Sequence, residues 1–299
     1  MARGGEMSGN TLGAVLMVAS MAGFALEDMA LKAVARHLPV GQILVIFGAG
    51  GMVVFAALAR LRGEALLPRA ALHPAVAARA VSEVAGRLGY TLAIALSPLS
   101  TASAILQATP LVVTLGAALW FGEAVGWRRW LAIVLGFAGV LIVLRPWGAG
   151  FNAASVFAVI GMLGFAGRDL ATRAAPRGLS NAVLGVYGFA MLIPSGAFLL
   201  AVQAGEWASP TPADWARLGL ATGVGVAAYL ALTAAMRMGE VGVIAPFRYT
   251  RLVFALILGA AVFGERPDAL MLLGAGLIVA PGLVTLARAR RGAAAQRSG

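Results

Sequence analysis

Apolar stretches of about 20 residues follow one another along almost the whole chain, and they limit its fold more than any other feature. A helix of that length spans about 30 Å, the hydrocarbon thickness of a membrane. Only 12% of the 299 residues are charged, about half the share of a soluble domain, which is too few to coat a water-exposed surface. We therefore expect an all-α integral membrane protein with ten transmembrane helices. The predicted helices are 11–31, 40–59, 76–96, 100–121, 129–145, 153–172, 181–202, 214–236, 242–263 and 269–287.

Lys and Arg are unevenly divided between the predicted connections. Most lie in the N-terminus, the connections that follow even-numbered helices and the C-terminus, whereas the alternate connections carry few. Because basic residues mark the cytoplasmic side, both termini should be cytoplasmic in a bacterial-type inner (plasma) membrane. The first apolar run exceeds the core of a signal peptide and ends in charged residues, so it should be a retained helix. The basic tail at 288–299 could also bind anionic membrane lipid.

Two sequence segments recur about 141 residues further along the chain. Duplication explains two matches in the same order, at nearly the same offset, better than chance does. It predicts one five-helix repeat at 11–147 and a second at 152–287, between cytoplasmic tails at 1–10 and 288–299. An odd number of spans inverts the second copy, and inverted repeats are typical of alternating-access transporters that hold the substrate near the membrane midplane. The matches pair Gly23-Phe24-Ala25 with Gly164-Phe165-Ala166, Asp28 with Asp169, and Phe121-Gly122-Glu123 with Phe263-Gly264-Glu265.

Tyrosine, proline and Gly-Glu positions also recur in the two halves. The first half carries Tyr90, Ala104, Pro110, Gly122-Glu123 and Gly139, and the second carries Tyr229, Pro246, Gly264-Glu265 and Gly282. On these motifs, residues 11–287 resemble the EamA-type modules of the drug/metabolite transporter superfamily. The resemblance implies ten helices in two inverted halves and the export of amino acids or other metabolites. One branch of that family exports aromatic amino acids.

Eight charged side chains fall inside the predicted spans. Unpaired at the membrane centre, each costs roughly 2.5–3.5 kcal/mol on insertion scales and all eight on the order of 20–28 kcal/mol, more than the stability of a typical domain. They must therefore pair with one another or line a water-filled cavity. Pro110 and Pro246 should bend helices beside such a cavity, because each removes a backbone hydrogen bond. The basic residues are Arg87, Arg168, Arg248 and Arg251, and the acidic ones are Glu27, Asp28, Glu83 and Asp169.

Some of these charges also have a purely structural interpretation. Glu83 and Arg87 are four residues apart on one helix, so they could form an ion pair within that helix that does nothing more. Arg168 beside Asp169 could be a structural pair with Asp28. Both alternatives compete with the interpretation that these side chains line a substrate cavity.

Residues near the predicted helix ends are open to a similar choice. We expect Glu123 and Glu265, each just after a glycine, to cap helices or contact loops rather than to act in catalysis. Lys32 could extend to the membrane interface or have a functional role. The GxxxG sequence of Gly219 and Gly223 predicts close helix packing.

Both charge signs at membrane depth, beside aromatic side chains, favour a small zwitterionic substrate. We expect an exporter of such metabolites, amino acids above all, that works by alternating access around a central cavity. Arginines would attract the carboxylate and acidic side chains the ammonium group, while Tyr or Phe packs on the substrate. A facilitator needs nothing more, whereas a proton-coupled antiporter needs a titrating carboxylate, for which Glu27, Glu83 and Asp169 are candidates. The predicted substrate-binding or cavity residues are Phe24, Glu27, Asp28, Glu83, Arg87, Tyr90, Gln107, Arg168, Asp169, Tyr229, Arg248, Tyr249 and Arg251.

Other function classes have less support. Efflux of hydrophobic cations would depend on the acidic residues and not on the arginines. An integral membrane enzyme would leave the repeat unexplained, and the chain offers no cysteine and no histidine inside a predicted span. A structural or receptor role would show no saturable flux. We therefore expect no catalytic residue, no metal and no cofactor, a small-molecule substrate and membrane lipid as partners, no nucleic acid, and a monomer.

Overall fold

The computed structural model describes residues 2–122, 126–147, 152–174, 179–202, 206–238 and 244–280. These residues form α-helices and two short 3-10 helices, Arg69–Leu72 and Ala245–Tyr249, with no β-strand among them. Glu123, Gly282 and the basic tail lie outside the described residues. The α-helices are α1 (Ala2–Val34), α2 (Val40–Leu61), α3 (Pro74–Leu96), α4 (Leu99–Leu106), α5 (Thr109–Phe121), α6 (Trp127–Leu144), α7 (Ser155–Ala174), α8 (Asn181–Ala190), α9 (Leu192–Val202), α10 (Pro212–Met238), α11 (Thr250–Phe263) and α12 (Ala269–Ala280).

Six segments of the described chain are long and apolar enough to cross a membrane, judged by length and composition. Two shorter apolar helices lie within α6 and α12. The chain is therefore an all-helical integral membrane protein, while the count of ten transmembrane helices and the repeat arrangement stay predictions. The six segments are Gly9–Val34, Val40–Leu61, Leu99–Phe121, Ser155–Thr172, Asn181–Val202 and Pro212–Met236.

Three of the predicted helices are interrupted. The fourth breaks between α4 and α5, where Pro110 lies in the first turn of α5, because proline cannot donate a backbone hydrogen bond. The ninth begins as the 3-10 helix Ala245–Tyr249, which contains Pro246. Irregular backbone was therefore predicted correctly at both prolines. The break between α8 and α9 was not predicted, although Pro194 lies in the first turn of α9.

We call α1–α6 the first half and α7–α12 the second half. The longest contacts cross between them: α3 lies along α7, α1 lies along α10, and α2 packs on α8 and α9. Small residues permit this approach, since a Cβ on Gly164 would lie 2.2 Å from the backbone nitrogen of Gly86. The bundle is therefore built from helix pairs that join the two halves.

The glycines of two sequence motifs have other roles than helix packing. Gly122 and Gly264, from the repeated Phe-Gly-Glu motif, end α5 and α11 with φ values of 65° and 67°. Glycine adopts this left-handed conformation without steric cost, which explains its place after a helix. The expected close packing at Gly219 and Gly223 is wrong, because no described atom lies within 4 Å of a Cβ placed on either.

Polar contacts join four segments at one end of the bundle, in what we call the Lys32–Glu265 cluster. Glu265 accepts hydrogen bonds from the backbone nitrogens of Leu99 (2.6 Å) and Ser100 (2.9 Å) and so caps α4, as expected for a glutamate after a helix. The Lys32 side chain, 12% exposed, lies 3.6 Å from Glu265. It donates hydrogen bonds to the carbonyl of Ser97 (2.6 Å) and to another near the end of α3. Lys32 therefore links helices through its ammonium group, and its position relative to the membrane interface stays a prediction.

A second ion pair lies close to this cluster, outside the apolar segments. Arg145, which ends α6, pairs with Asp268, whose carboxylate also accepts the backbone N–H of Met271 at the start of α12. The hydrogen bond from the Arg145 guanidinium holds the pKa of Asp268 below its usual value. The connection between α11 and α12 therefore carries two ion pairs, one at Glu265 and one at Asp268.

Candidate functional site

A cavity of about 260 Å³ lies between the two halves of the bundle. It touches α3 between Arg79 and Arg87 and continues to the first turn of α11, so it lies away from the Lys32–Glu265 cluster. Glu27, Asp28 and Tyr90 do not line it, and each is 1% exposed. The other predicted residues do line it: Phe24, Glu83, Arg87, Gln107, Arg168, Asp169, Tyr229, Arg248, Tyr249 and Arg251.

One charge cluster, which we call the Glu27–Asp28 cluster, joins α1, α3 and α11. Arg87 donates a hydrogen bond to Glu27. Arg251 donates to Asp28 from Nη2 (2.7 Å) and Nε (3.2 Å). The Tyr90 hydroxyl donates to the same carboxylate at 3.1 Å. The proposed ion pair of Glu83 with Arg87 within α3 is therefore wrong, because α1 supplies the partner of Arg87.

A second cluster occupies the wall formed by α3 and α7. Arg168 donates to Asp169 from Nε (2.9 Å) and Nη2 (2.8 Å) and lies 3.4 Å from Glu83. Arg79 reaches the other oxygen of Glu83 at 3.5 Å. The alternative in which Asp28 completes the Arg168–Asp169 pair is wrong, because Glu83 takes that place.

Arg79 was missed by the sequence analysis. The residue is only 4% exposed, and its side chain also donates to Thr172 and to the carbonyl of Leu184, both at 3.1 Å. Arg79 lies just inside the predicted start of the third helix, and it was counted with the basic residues of the connection before that helix. Its spacing of four residues before Glu83 was the signal that could have identified it.

Arg248 differs from the other arginines of the cavity. Among the described residues, every other cavity arginine is within 4 Å of a carboxylate, and Arg248 is not. Gln107 donates to its backbone carbonyl at 3.2 Å and so ties α4 to the 3-10 helix before α11. Because Arg248 lines the cavity and has no acidic partner among the described residues, it is available to an anionic group on a ligand.

Aromatic rings form much of the remaining wall. The guanidinium of Arg87 lies 5.9 Å and 5.8 Å from the ring centroids of Phe165 and Phe189, and that of Arg251 lies 5.2 Å from the ring of Phe24. These distances allow cation–π attraction. Phe165 is the repeat counterpart of Phe24, so the repeat could have predicted its place here. The lining rings are Phe24, Phe55, Phe165, Phe189, Tyr229 and Tyr249.

A charged cavity inside a bundle of apolar helices is the arrangement of a small-molecule transporter. The EamA-like transporter family matches residues 11–145 and 152–286. The chain therefore belongs to this family, within the drug/metabolite transporter superfamily.

Several relatives carry names that describe what they transport. A riboflavin transporter of Rhizobium johnstonii is 31% identical over 69% of this chain and 67% of its own. A riboflavin transporter of Vibrio cholerae is also 31% identical, and the chain spans about three fifths of its length. The pseudopaline exporter CntI of Pseudomonas aeruginosa is 27% identical over 94% of this chain and 97% of its own. An S-adenosylmethionine uptake transporter of Rickettsia bellii is 26% identical over 65% of this chain and 66% of its own.

Solved structures share the fold, and one of them is a crystal structure. It covers 88% of this chain and 96% of its own with a TM-score of 0.58, at 20% sequence identity. All of the named relatives are transporters, which is consistent with transport rather than catalysis as the function of this chain.

Proposed function

We propose that this protein exports small zwitterionic metabolites, amino acids above all, across a bacterial inner membrane. The observation that carries the proposal is that Arg248 lines the cavity and has no acidic partner among the described residues. Each of the other four cavity arginines already forms an ion pair with at least one of the four carboxylates in the two clusters. An incoming carboxylate would therefore bind Arg248 without displacing an existing ion pair.

The ammonium group would bind on the α7 side of the same cavity. Asp169 is the most accessible carboxylate there, with a side chain 29% exposed, and its contacts to Arg168 use one oxygen. Glu27 and Asp28 are buried outside the cavity lining and no longer serve as candidates for this contact. The lining rings would pack on an apolar side chain, which favours aromatic amino acids.

Alternating access around an inverted repeat is the mechanism that fits this cavity. The pairs α1 with α10 and α3 with α7 would exchange under a twofold relation between the halves, which supports the predicted repeat. The Lys32–Glu265 cluster would close the outer end, while the cavity lies toward the cytoplasmic end in the predicted topology. Rocking of one half against the other would open the outer end and close the inner one.

The charge of the cavity argues against efflux of hydrophobic cations. Five guanidinium groups and four carboxylates leave one excess positive charge in and beside the cavity, which repels a cationic ligand. The relatives differ in substrate and direction, since one is named an exporter and another an uptake transporter. Amino acid export therefore rests on the cavity of this chain and not on a transferred name.

Flux of labelled phenylalanine into liposomes containing the purified protein tests the proposal. Removing a charge-assisted hydrogen bond costs about 1.5–3 kcal/mol, so Arg248→Gln should raise the KM for phenylalanine roughly 10- to 100-fold. Arg62→Gln is the matched control, because Arg62 is exposed at the end of α2, away from the cavity. Equal KM values for the wild type and Arg248→Gln would refute the assigned carboxylate site.

A further inference from the structure

Two adjacent carboxylates, Glu27 and Asp28, are buried beside the cavity with incomplete hydrogen bonding. Each is 1% exposed. Among the described residues, Oε2 of Glu27 and Oδ1 of Asp28 have no hydrogen-bond partner. Buried polar atoms are nearly always satisfied, so two orphan oxygens on neighbouring acids call for a physical explanation.

The groups that face this pair come from every helix packed on this part of α1. On α3 they are Arg87 and Tyr90, and on α11 the group is Arg251. From α4, the Ser103 hydroxyl contacts Tyr90 at 3.0 Å. The two ionisable residues of the 3-10 helix before α11 line the cavity instead; they are Arg248 and Tyr249.

From α10, the contact with the orphan oxygen of Glu27 is Gly225. A Cβ on Gly225 would lie only 2.5 Å from Oε2 of Glu27, so α10 packs closely against this oxygen and leaves no room there for a side chain at position 225. A proton is the ligand small enough to bind this oxygen. Asp28 differs, because two guanidinium nitrogens and the Tyr90 hydroxyl already surround its other oxygen.

We infer that Glu27 is a proton-binding site that controls the availability of Arg87 to the substrate. A proton from solution that binds Oε2 forms one O–H bond and removes the charge of the carboxylate. The ion pair with Arg87 then loses its electrostatic attraction, and Arg87, which lines the cavity as Arg248 does, can join Arg248 in binding the carboxylate of a substrate. A carboxylate that binds Arg87 favours protonation of Glu27 in the same way, since such coupling is reciprocal.

This inference rests on the proposed function, because it needs a carboxylate substrate. It predicts that the proton and the substrate cross the membrane in the same direction. The direction of net transport then depends on whether the substrate gradient or the proton gradient is larger, and export requires a large cytoplasmic pool of the substrate.

Infrared spectroscopy tests the proton site without any substrate. As the pH falls from about 9 to about 5, the wild type should gain a carbonyl band of a protonated, buried carboxylic acid that Glu27→Gln lacks. Glu64→Gln should retain it, because Glu64 lies in the connection after α2 and contacts Ser180. If Glu27→Gln leaves all carboxylic acid bands unchanged, Glu27 is not the proton site.

Proton uptake on addition of phenylalanine, measured with a pH dye in weak buffer, tests the coupling. The wild type and Glu64→Gln should take up about one proton per bound phenylalanine, and affinity should rise about tenfold for each unit of pH lowered. Glu27→Gln, which is permanently neutral, should bind phenylalanine with a pH-independent Kd and take up no proton. Binding to the wild type without proton uptake would overturn the coupling and leave the proposed function intact. No binding of any amino acid would refute the proposed function, and the infrared band would still decide the proton site.

Discussion

Glu83 occupies an unusual position among the cavity residues, because one carboxylate serves two guanidinium groups. Its Oε1 lies 3.4 Å from Arg168 and its Oε2 lies 3.5 Å from Arg79. The side chain of Arg79 is 5% exposed and that of Glu83 is 10% exposed, so neither charge has much water around it. A buried charge that loses its partner is costly, whereas replacing a whole buried pair by apolar groups is often tolerated.

Arg79→Leu should therefore destabilise the protein strongly. The cost of leaving a buried carboxylate without one of its partners is about 3–5 kcal/mol, which thermal unfolding in detergent should report as a clear loss in Tm. Arg62→Leu changes an exposed arginine directly after α2; it is the control and should change little. The double variant Arg79→Leu with Glu83→Leu should recover part of the loss. A double variant less stable than Arg79→Leu would contradict this account of the pair.

Most of the cavity residues could be predicted from the sequence, but their partners could not. A charged side chain in an apolar span must face the interior, which identifies Arg87 or Arg248 from composition alone. Which acid pairs with Arg87 depends on how α1 and α3 approach each other, and neighbours in space leave no mark in the spacing along one helix. Phe189 carried no such signal, because an apolar ring in an apolar span fits lipid and cavity equally well.

Polar contacts at the helix ends connect helices that are distant in sequence. The carboxylate of Glu265 satisfies backbone N–H groups at the start of α4, which lack partners within the helix. It also attracts Lys32 on α1, so one side chain links α1, α4 and the connection before α12. Such a contact can close one end of a cavity and can be released as a unit.

Glu265→Gln should loosen this end of the bundle. The amide keeps one oxygen for the cap but loses the charge that attracts Lys32. The chain has no cysteine, so Ala104→Cys on α4, fully buried between the Lys32–Glu265 cluster and the cavity, can report access. Its labelling by a membrane-impermeant maleimide from the outside should become several-fold faster when Glu265→Gln is added. An unchanged or slower rate would contradict the role of the cluster in closure.

Helix positions could be predicted well from hydropathy, and the interruptions only in part. Pro110 identified the break after α4, because a missing backbone donor is visible in the sequence. The break at Met191 has the same cause, because Pro194 lies in the first turn of α9. The continuous apolar run of this predicted span gave no reason to divide it. The bounds of α1, Ala2–Val34, extend beyond the predicted 11–31 at both ends, because backbone hydrogen bonds can continue a helix past its apolar residues.

In the whole molecule, the pairing of helices and the charge of the cavity both favour transport of a zwitterion between the two halves. Helices of the first half pack mainly on helices of the second, so the cavity between them changes shape when the halves move. Among the described residues, the walls of that cavity carry an arginine with no acidic partner, a partly exposed carboxylate and six aromatic rings. We propose that these three features together select a zwitterion with an apolar ring.

Counterflow of labelled phenylalanine in liposomes tests this claim most directly, with three competitors that share the phenyl group. Unlabelled phenylalanine has both charges, phenethylamine lacks the carboxylate, and 3-phenylpropionate lacks the ammonium group. Phenylalanine should compete best, 3-phenylpropionate less well, and phenethylamine least, because the excess charge of the cavity is positive. Inhibition by phenethylamine as strong as that by phenylalanine, or no saturable counterflow at all, would contradict this proposal.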